Sequence, residues 1–208
     1  MDVVDSFCYV GDMLSANGGC ELSSIIRAKT AWHKFRELLP ILTSRAIPIK
    51  TRGKVYNVCV RSAMLYGSEC WALTQSSLAR IRRNDRAMIR WICHVASDEI
   101  QSVKSDSLLV KLDIPPLDVM LRENRLRWYG HVIRSSGPIN TCQLLELESQ
   151  KKAGRPKKSW GECIRGDLAK LQMTHVDPKN RDKWRQCLKR TKKKRQTPTE
   201  GKGDDKHG

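Results

Sequence analysis

The chain lacks the features that mark several common classes of protein. Acidic residues and small aromatic rings are scarce: its 208 residues include only 22 Asp and Glu, two Phe and four Tyr. No apolar run approaches the roughly 18 residues that a membrane-spanning helix needs, and no secretory signal begins at Met1. We therefore expect a soluble intracellular protein, nuclear or cytoplasmic, with no membrane partner.

Closely spaced cysteines are also missing, although the chain contains eight cysteines. Specific zinc sites usually contain Cys-x2-Cys pairs, and disulfide frameworks belong mostly to small secreted chains. A zinc set with its members 21, 12 and 12 positions apart is the alternative, formed by Cys142, Cys163, His175 and Cys187. The wide spacing favours reduced structural thiols, and we expect no metal site and no cofactor in this chain.

Complete catalytic motifs are absent as well. The sequence has no Gly-x-Ser-x-Gly elbow, P-loop or His-Glu-x-x-His. Two segments resemble the paired carboxylates with which nucleotide polymerases hold two metal ions. The first, ending at Asp12, has a single carboxylate, and the second, Asp204-Asp205, lies in a Lys-rich tail. We therefore assign no catalytic residue and no small-molecule substrate to this chain.

Positive charge is what the chain has in excess. Its 39 Lys and Arg give a net charge of +17, of which residues 151–195 contribute +13. A field of this strength attracts polyanions and makes their binding sensitive to salt. RNA or DNA is the expected partner.

Hydrophobic periodicity predicts a mainly α fold that begins with a short β-hairpin. Residues 3–11 alternate weakly between apolar and polar, and Asn17-Gly18-Gly19 marks a turn. Apolar residues then recur at three- and four-residue steps in helices that begin near Leu22, Pro48, Thr74, Ser107 and Pro116. The second helix is expected to bury Val55, Val58, Cys59, Ser62 and Leu65, and basic helices are expected at 157–171 and 178–189.

Composition divides the chain into five segments. Residues 1–20 form the strands and residues 21–134 the helical region. A linker at 135–156, rich in Ser, Gly and Pro at its start, leads to a basic helical segment at 157–190. Residues 191–208 contain no apolar side chain and are expected to be a disordered tail.

Residues 125–132 read Arg-Leu-Arg-Trp-Tyr-Gly-His-Val and combine cations with flat rings. Such side chains suit phosphate and base contacts, yet the segment also lies on an apolar helical stripe. The residues expected to pack inward are Leu126, Trp128 and Val132. Those expected to face nucleic acid are Arg125, Arg127 and His131.

Two further sets of cations are candidate nucleic-acid contacts. On the third predicted helix they are Arg82, Arg83 and Arg86, for which a merely solvated basic face is an equally good interpretation. In the basic C-terminal third they are Lys151, Lys152, Arg155, Lys157 and Lys158.

Four segments with distinctive residues follow one another along the chain. They are Phe7-Cys8-Tyr9-Val10-Gly11, Leu65-Tyr66-Gly67-Ser68-Glu69-Cys70-Trp71, residues 125–132, and Gly154-Arg155-Pro156-Lys157-Lys158-Ser159-Trp160. In this order they resemble the C-terminal part of a non-LTR (LINE-type, RTE-like) retrotransposon reverse transcriptase. Asp182-Lys183-Trp184-Arg185 extends the resemblance to about Leu188, while Cys8 and Val10 depart from the family's more usual residues.

The resemblance implies that residues 1 to about 18 are the last palm strands and that the helices are a thumb and post-thumb region holding the template–primer duplex. Phe7, Tyr9 and Gly11 would then lie near the primer. The family's catalytic aspartates, which use Mg²⁺, and its endonuclease domain belong upstream of Met1. The implied protein is a truncated RNA-directed DNA polymerase that is inactive alone but still binds nucleic acid.

Two other interpretations stay open at this point. One is a non-enzymatic, basic helical RNA- or DNA-binding protein derived from a retroelement, acting through its C-terminal third. The other is a chain that does not fold stably, because its first strands lack the rest of their sheet.

Overall fold

The computed structural model describes residues 5–9, 12–15, 19–137 and 158–193. Strands β1 (Ser6–Tyr9) and β2 (Asp12–Ser15) pair antiparallel, with Ser6 opposite Ser15 and Tyr9 opposite Asp12. Almost all other regular structure in the described ranges is helical. This confirms the prediction of a mainly α chain with a short N-terminal hairpin.

The described ranges contain helices of three to eighteen residues. They are α1 (Glu21–Glu37), α2 (Leu39–Leu42), α3 (Ile49–Val55), α4 (Ser62–Met64), α5 (Gln75–Ile92), α6 (Ser105–Leu112), α7 (Leu117–Arg134), α8 (Trp160–Lys170) and α9 (Arg181–Lys193). A π-helical turn, Tyr56–Arg61, joins α3 to α4, and a 3-10 turn, Ser68–Cys70, precedes α5.

Local sequence signals set several of these bounds. The Thr74 hydroxyl oxygen accepts a hydrogen bond from the Ser77 N–H at 3.2 Å and caps α5. Ser159 and Glu162 form a reciprocal capping box at the start of α8. Gly67 has φ of +73°, a left-handed conformation that glycine adopts without steric cost. Helix α5 therefore begins at Thr74, as predicted, whereas α4 ends at Met64, three residues before Gly67.

The π-helical turn changes which face of the α3–α4 helix is buried. The predicted inner stripe is wrong at Val58, which is 67% exposed, and at Ser62, which is also exposed. The residues buried there are Tyr56, Val60, Arg61 and Met64. A π turn adds a residue to the helical period, so that a 3.6-residue repeat assigns the wrong face beyond it.

The basic C-terminal helices also differ from the predicted bounds. Helix α9 continues to Lys193, although the sequence predicts the helical segment to end at residue 190. The prediction relied on the loss of apolar residues, whereas lysine itself favours helix. Most of the predicted linker at 135–156, from residue 138 onward, lies outside the described residues, and so do residues 194–208 of the predicted tail.

Two hydrophobic clusters hold the described residues together. The larger one packs α1, α3–α4, α5, α6 and the first turns of α7, and its most buried members include Phe35, Tyr56, Met64, Met88, Ile92 and Leu112. The smaller one joins the second half of α7 to α8 and α9 through Leu126, Ile164, Met173 and Trp184. Helix α7 therefore belongs to both clusters.

A buried ion pair lies within the larger cluster. The Arg61 Nε and Nη2 atoms donate to Oδ1 and Oδ2 of Asp85 at 2.7 and 2.9 Å. The Tyr56 hydroxyl donates to Asp85 Oδ1 at 2.8 Å, and Arg61 Nη1 donates to the Pro115 carbonyl at 2.6 Å. Burial lowers the pKa of Arg61, but the hydrogen bonds and charge of Asp85 outweigh it and hold the pKa above its ordinary value.

Across the described ranges, no helix has the length and apolar character needed to cross a membrane. Burial raises the pKa of the Cys20 and Cys93 thiols and so favours their protonated form. No three His, Cys, Asp or Glu side chains of these ranges lie together as a metal-binding group, and Cys142 of the alternative zinc set lies outside them.

The buried ion pair predicts a large loss of stability when one charge is removed. Asp85→Asn leaves the Arg61 guanidinium buried without its counter-charge, and we expect the free energy of unfolding to fall by about 3–5 kcal/mol. Asp118→Asn is the control, because its pair with Arg82 is more than a third exposed, and it should cost about 1 kcal/mol or less. Urea denaturation followed by circular dichroism measures both. Equal midpoints for the two variants would contradict the assignment.

Candidate nucleic-acid interface

Helix α7 carries the segment 125–132 and directs its side chains to different neighbours. Leu126 and Val132 are 0% and 2% exposed, as predicted for the packing side. Arg127 and His131 are exposed. Trp128, which is predicted to pack inward, is only half-buried and lies beside the His131 ring. The segment therefore has an inner side that holds α8 and α9 and an outer side with two basic groups and a ring.

Arg125 lies on the inner side, although it is a predicted nucleic-acid contact. It is 8% exposed, and its Nη1 lies 3.1 Å from Oδ2 of Asp167 on α8. Arg122 Nε lies 3.5 Å from the other oxygen of the same carboxylate. Two arginines of α7 thus share one carboxylate, which fixes the position of α8 against α7.

Gly130 is a point of very close approach between α7 and α9. A β-carbon built at Gly130 would lie 2.5 Å from Nε1 and 2.9 Å from Cδ1 of Trp184. Trp184 is 1% exposed, and its indole N–H donates to the Leu126 carbonyl at 3.2 Å. The Tyr129 ring packs against Trp184 with 6.0 Å between ring centroids. A side chain at this position would therefore displace the indole.

Other hydrogen bonds attach the C-terminal helices to the main body. The Trp160 indole N–H donates to the Glu69 carbonyl at 2.7 Å, and Lys158 Nζ donates to the Leu73 carbonyl at 3.3 Å. Arg134 on α7 donates to the carbonyl of Pro178, just before α9, at 2.6 Å. Four of the segments that carry the sequence resemblance, at 65–71, 125–132, 158–160 and 182–185, therefore meet around the second half of α7.

An open groove of about 800 Å³ lies between the outer side of α7 and helix α9. Its cations are Arg127, Arg134, Arg181, Arg185 and Lys189, and its carboxylates are Glu69 and Glu123. Trp128, Trp184 and His131 also line it, with the Trp128 and His131 rings 5.2 Å apart. A cationic groove with flat rings has the chemistry to bind a nucleic-acid backbone and to stack on bases.

Only some of the residues that line this groove are predicted from the sequence as nucleic-acid contacts. Arg127 and His131 are predicted contacts that line it, but the contribution of α9 is not among the predicted residues. Arg181, Arg185 and Lys189 lie four residues apart, a spacing that puts side chains on one face of a helix. The spacing indicates a basic face on α9. It indicates a groove only when α9 is known to lie beside α7.

The predicted arginines of α5 lie elsewhere. Arg82 clamps Asp118 of α7, with Nε 3.1 Å from both carboxylate oxygens and Nη2 2.7 Å from Oδ1. Arg83 and Arg86 are exposed. None of the three lines the groove.

The remaining predicted contacts divide between the hairpin and the basic segment. Phe7 and Tyr9 are 54% and 61% exposed, and their rings stack 6.3 Å apart. Lys158 is exposed and makes the hydrogen bond described above. The residues that lie outside the described part of the chain are Gly11, Lys151, Lys152, Arg155 and Lys157.

Comparison with known proteins gives one informative similarity. The chain is 22% identical over 177 residues to an uncharacterized transposon-derived protein of Caenorhabditis elegans, and the match covers 81% of this chain. The chain spans 62% of the length of that relative. No family model matches the chain, and no solved structure matches it significantly. The similarity supports a transposon-related origin.

The contact at Gly130 predicts a position-dependent effect of adding one methyl group. Gly130→Ala should lower the free energy of unfolding by about 1–3 kcal/mol, because the buried Trp184 ring must move. Gly166→Ala is the matched control, since nothing lies within 4 Å of a β-carbon there, and helix propensity should stabilise it by up to about 1 kcal/mol. Thermal unfolding and limited proteolysis of residues 158–193 measure both. An equally stable and protected Gly130→Ala protein would refute the close contact.

Proposed function

We propose that this chain is the nucleic-acid-binding thumb and post-thumb part of a non-LTR retrotransposon RNA-directed DNA polymerase. The groove between α7 and α9 contacts the backbone of the template–primer duplex. The observation that carries the proposal is the lining of this groove, in which five Lys or Arg side chains outnumber two carboxylates beside the half-buried Trp128 and the exposed His131. The net charge of +17 points to the same class of partner.

The similarity to a transposon-derived protein and the order of the sequence segments support this assignment together. The first indicates a mobile-element origin. The second carries the resemblance to a reverse transcriptase, and four of the segments that show it pack around the second half of α7. Polymerisation itself requires metal-binding carboxylates, and the proposal assigns that chemistry to no residue of this chain.

The spacing of the cations on α9 fits a phosphate backbone. An α-helix rises about 1.5 Å per residue, so Arg181, Arg185 and Lys189 lie about 6 Å apart along the helix axis. Duplex nucleic acid presents one phosphate about every 3.4 Å of axis on each strand. A row of three guanidinium and ammonium groups thus reaches several consecutive phosphates and holds them without reading sequence.

The proposal gives the predicted residues different roles. Arg127 and His131 contact nucleic acid from the groove, whereas Arg125 is a positioning residue because Asp167 already occupies its guanidinium. The exposed residues of the other surfaces act as flanking contacts. They are Phe7, Tyr9, Arg83, Arg86 and Lys158.

Removing the groove cations should weaken nucleic-acid binding and reduce its salt dependence. The variant replaces Arg127, Arg181, Arg185 and Lys189 by Ala. We expect the affinity for a template–primer duplex to fall at least tenfold at low salt, and the slope of log K against log salt to become shallower by about 2 to 4. Fluorescence anisotropy over a salt series measures both quantities.

The control variant removes the same amount of charge from another part of the surface. It replaces Lys50, Lys54, Lys104 and Lys111 by Ala, all of which are exposed and none of which lines the groove. This control should keep most of the affinity and of the slope. If the two variants lose affinity equally, binding follows net charge alone and the groove is not the interface.

A further inference from the structure

A second surface with aromatic and basic side chains lies on α1 and α5, apart from the residues of the groove. Trp91 near the end of α5 is 50% exposed, an unusual position for so large a ring. Trp32 of α1 lies beside it, with 6.4 Å between the ring centroids. The two indoles line a shallow depression of about 430 Å³.

The rings of this depression are held in place from behind. Phe35, which is 0% exposed, packs against Trp32 and Trp91 with centroid distances of 5.6 and 5.7 Å. The Trp32 indole N–H donates to Asn84 Oδ1 at 2.8 Å, and Asn84 Nδ2 donates to the Arg80 carbonyl at 2.9 Å. The aromatic surface is therefore preorganised, which lowers the entropic cost of binding a flat ligand.

Two exposed cations complete the lining. Lys29 and Arg36 stand three and four residues from Trp32 on α1, which places all three on one helical face. No carboxylate of the described residues lines the depression. Glu37, the next residue along α1, pairs instead with Lys34 at 2.5 Å and with His33 at 3.2 Å. A ligand that satisfies this site must present both a flat ring and a negative charge.

We propose that this depression binds an unpaired nucleobase of a single-stranded nucleic acid. The base stacks on Trp91, and the neighbouring phosphates pair with Lys29 and Arg36. Stacking of this kind tolerates any base, because every base has a π-face. A duplex cannot use the site in this way, because its bases are already stacked inside. The inference goes beyond the duplex contact proposed above and uses none of its residues.

The test separates the base from the phosphates. Binding of a fluorescent single-stranded DNA is compared with binding of a DNA of equal length and charge in which the central nucleotides are abasic, using the full chain with the four groove cations replaced by Ala. The abasic strand should bind about tenfold more weakly, since it offers phosphates but no ring. Trp91→Ala in this background should weaken binding of the normal strand by the same factor, and should leave binding of the abasic strand unchanged.

Matched variants exclude nonspecific explanations. Trp91→Phe keeps a ring, and its affinity for the normal strand should lie within about threefold of that of the parent chain, which is the full chain with only the four groove cations replaced. Val58→Ala removes another exposed apolar side chain, 67% exposed, and should have no effect. Lys29→Ala with Arg36→Ala should weaken binding of both strands, because both carry phosphates.

Two results would overturn the proposal. One is equal affinity of the normal and abasic strands for the parent chain, which would mean that no base is bound and that the surface serves another partner, such as an acidic peptide. The other is a Trp91→Ala protein that binds the normal strand as well as Val58→Ala does. If Trp91→Ala does not fold, as judged by thermal unfolding, the comparison of the two strands on the parent chain decides. Failure of the groove variants in the duplex assay would not affect either result.

Discussion

The contact between Trp184 and Gly130 is the constraint on which the candidate interface depends. The indole lies where a side chain of α7 would otherwise be, with its N–H bonded to the Leu126 carbonyl. This contact brings the cationic face of α9 alongside Arg127 and His131. Without it the basic C-terminal helices would still carry their charge, but α9 would lose its closest contact with α7.

Alongside its two hydrophobic clusters, the molecule uses buried ion pairs to join its helices. In the larger cluster the Arg61–Asp85 pair ties α5 to the helix that contains the π turn, and a bond to Pro115 extends the network to the start of α7. In the smaller cluster Asp167 receives two arginines of α7. Each of these carboxylates is neutralised by a buried guanidinium. The net charge of +17 is therefore carried by other cations of the chain.

The sequence predicted the class of the fold and the main helices well, because those depend on local signals. Examples are the repeat of apolar residues on α5, the cap at Thr74 and the turn at Gly67. Each of these signals determines the structure of residues close to it in sequence. The buried face of α3–α4 was mispredicted because a π turn breaks the helical period, and no local signal announced that turn.

The site was less predictable because its partners are distant in sequence. Periodicity identified Leu126 and Val132 as packing residues, yet it gave no means of knowing that Arg125 would meet Asp167 on α8. The same distance hid the pairing of Arg82 with Asp118, which changes an apparently free basic face into one that is partly structural. Ion pairs between residues that are distant in sequence produce no periodic pattern. The sequence therefore shows which residues are basic, but not which of them are paired with carboxylates in the fold.

The most direct test of the central claim is a map of where nucleic acid touches the protein. The full chain is photo-cross-linked to a template–primer duplex that carries a photoreactive uracil near the primer end, and the adducts are located by mass spectrometry. Adducts on residues 124–134 and 181–189, lost at high salt and in excess unlabelled duplex, are the predicted result. Salt-sensitive adducts confined to helices remote from the groove, such as α3 and α6, would contradict the account.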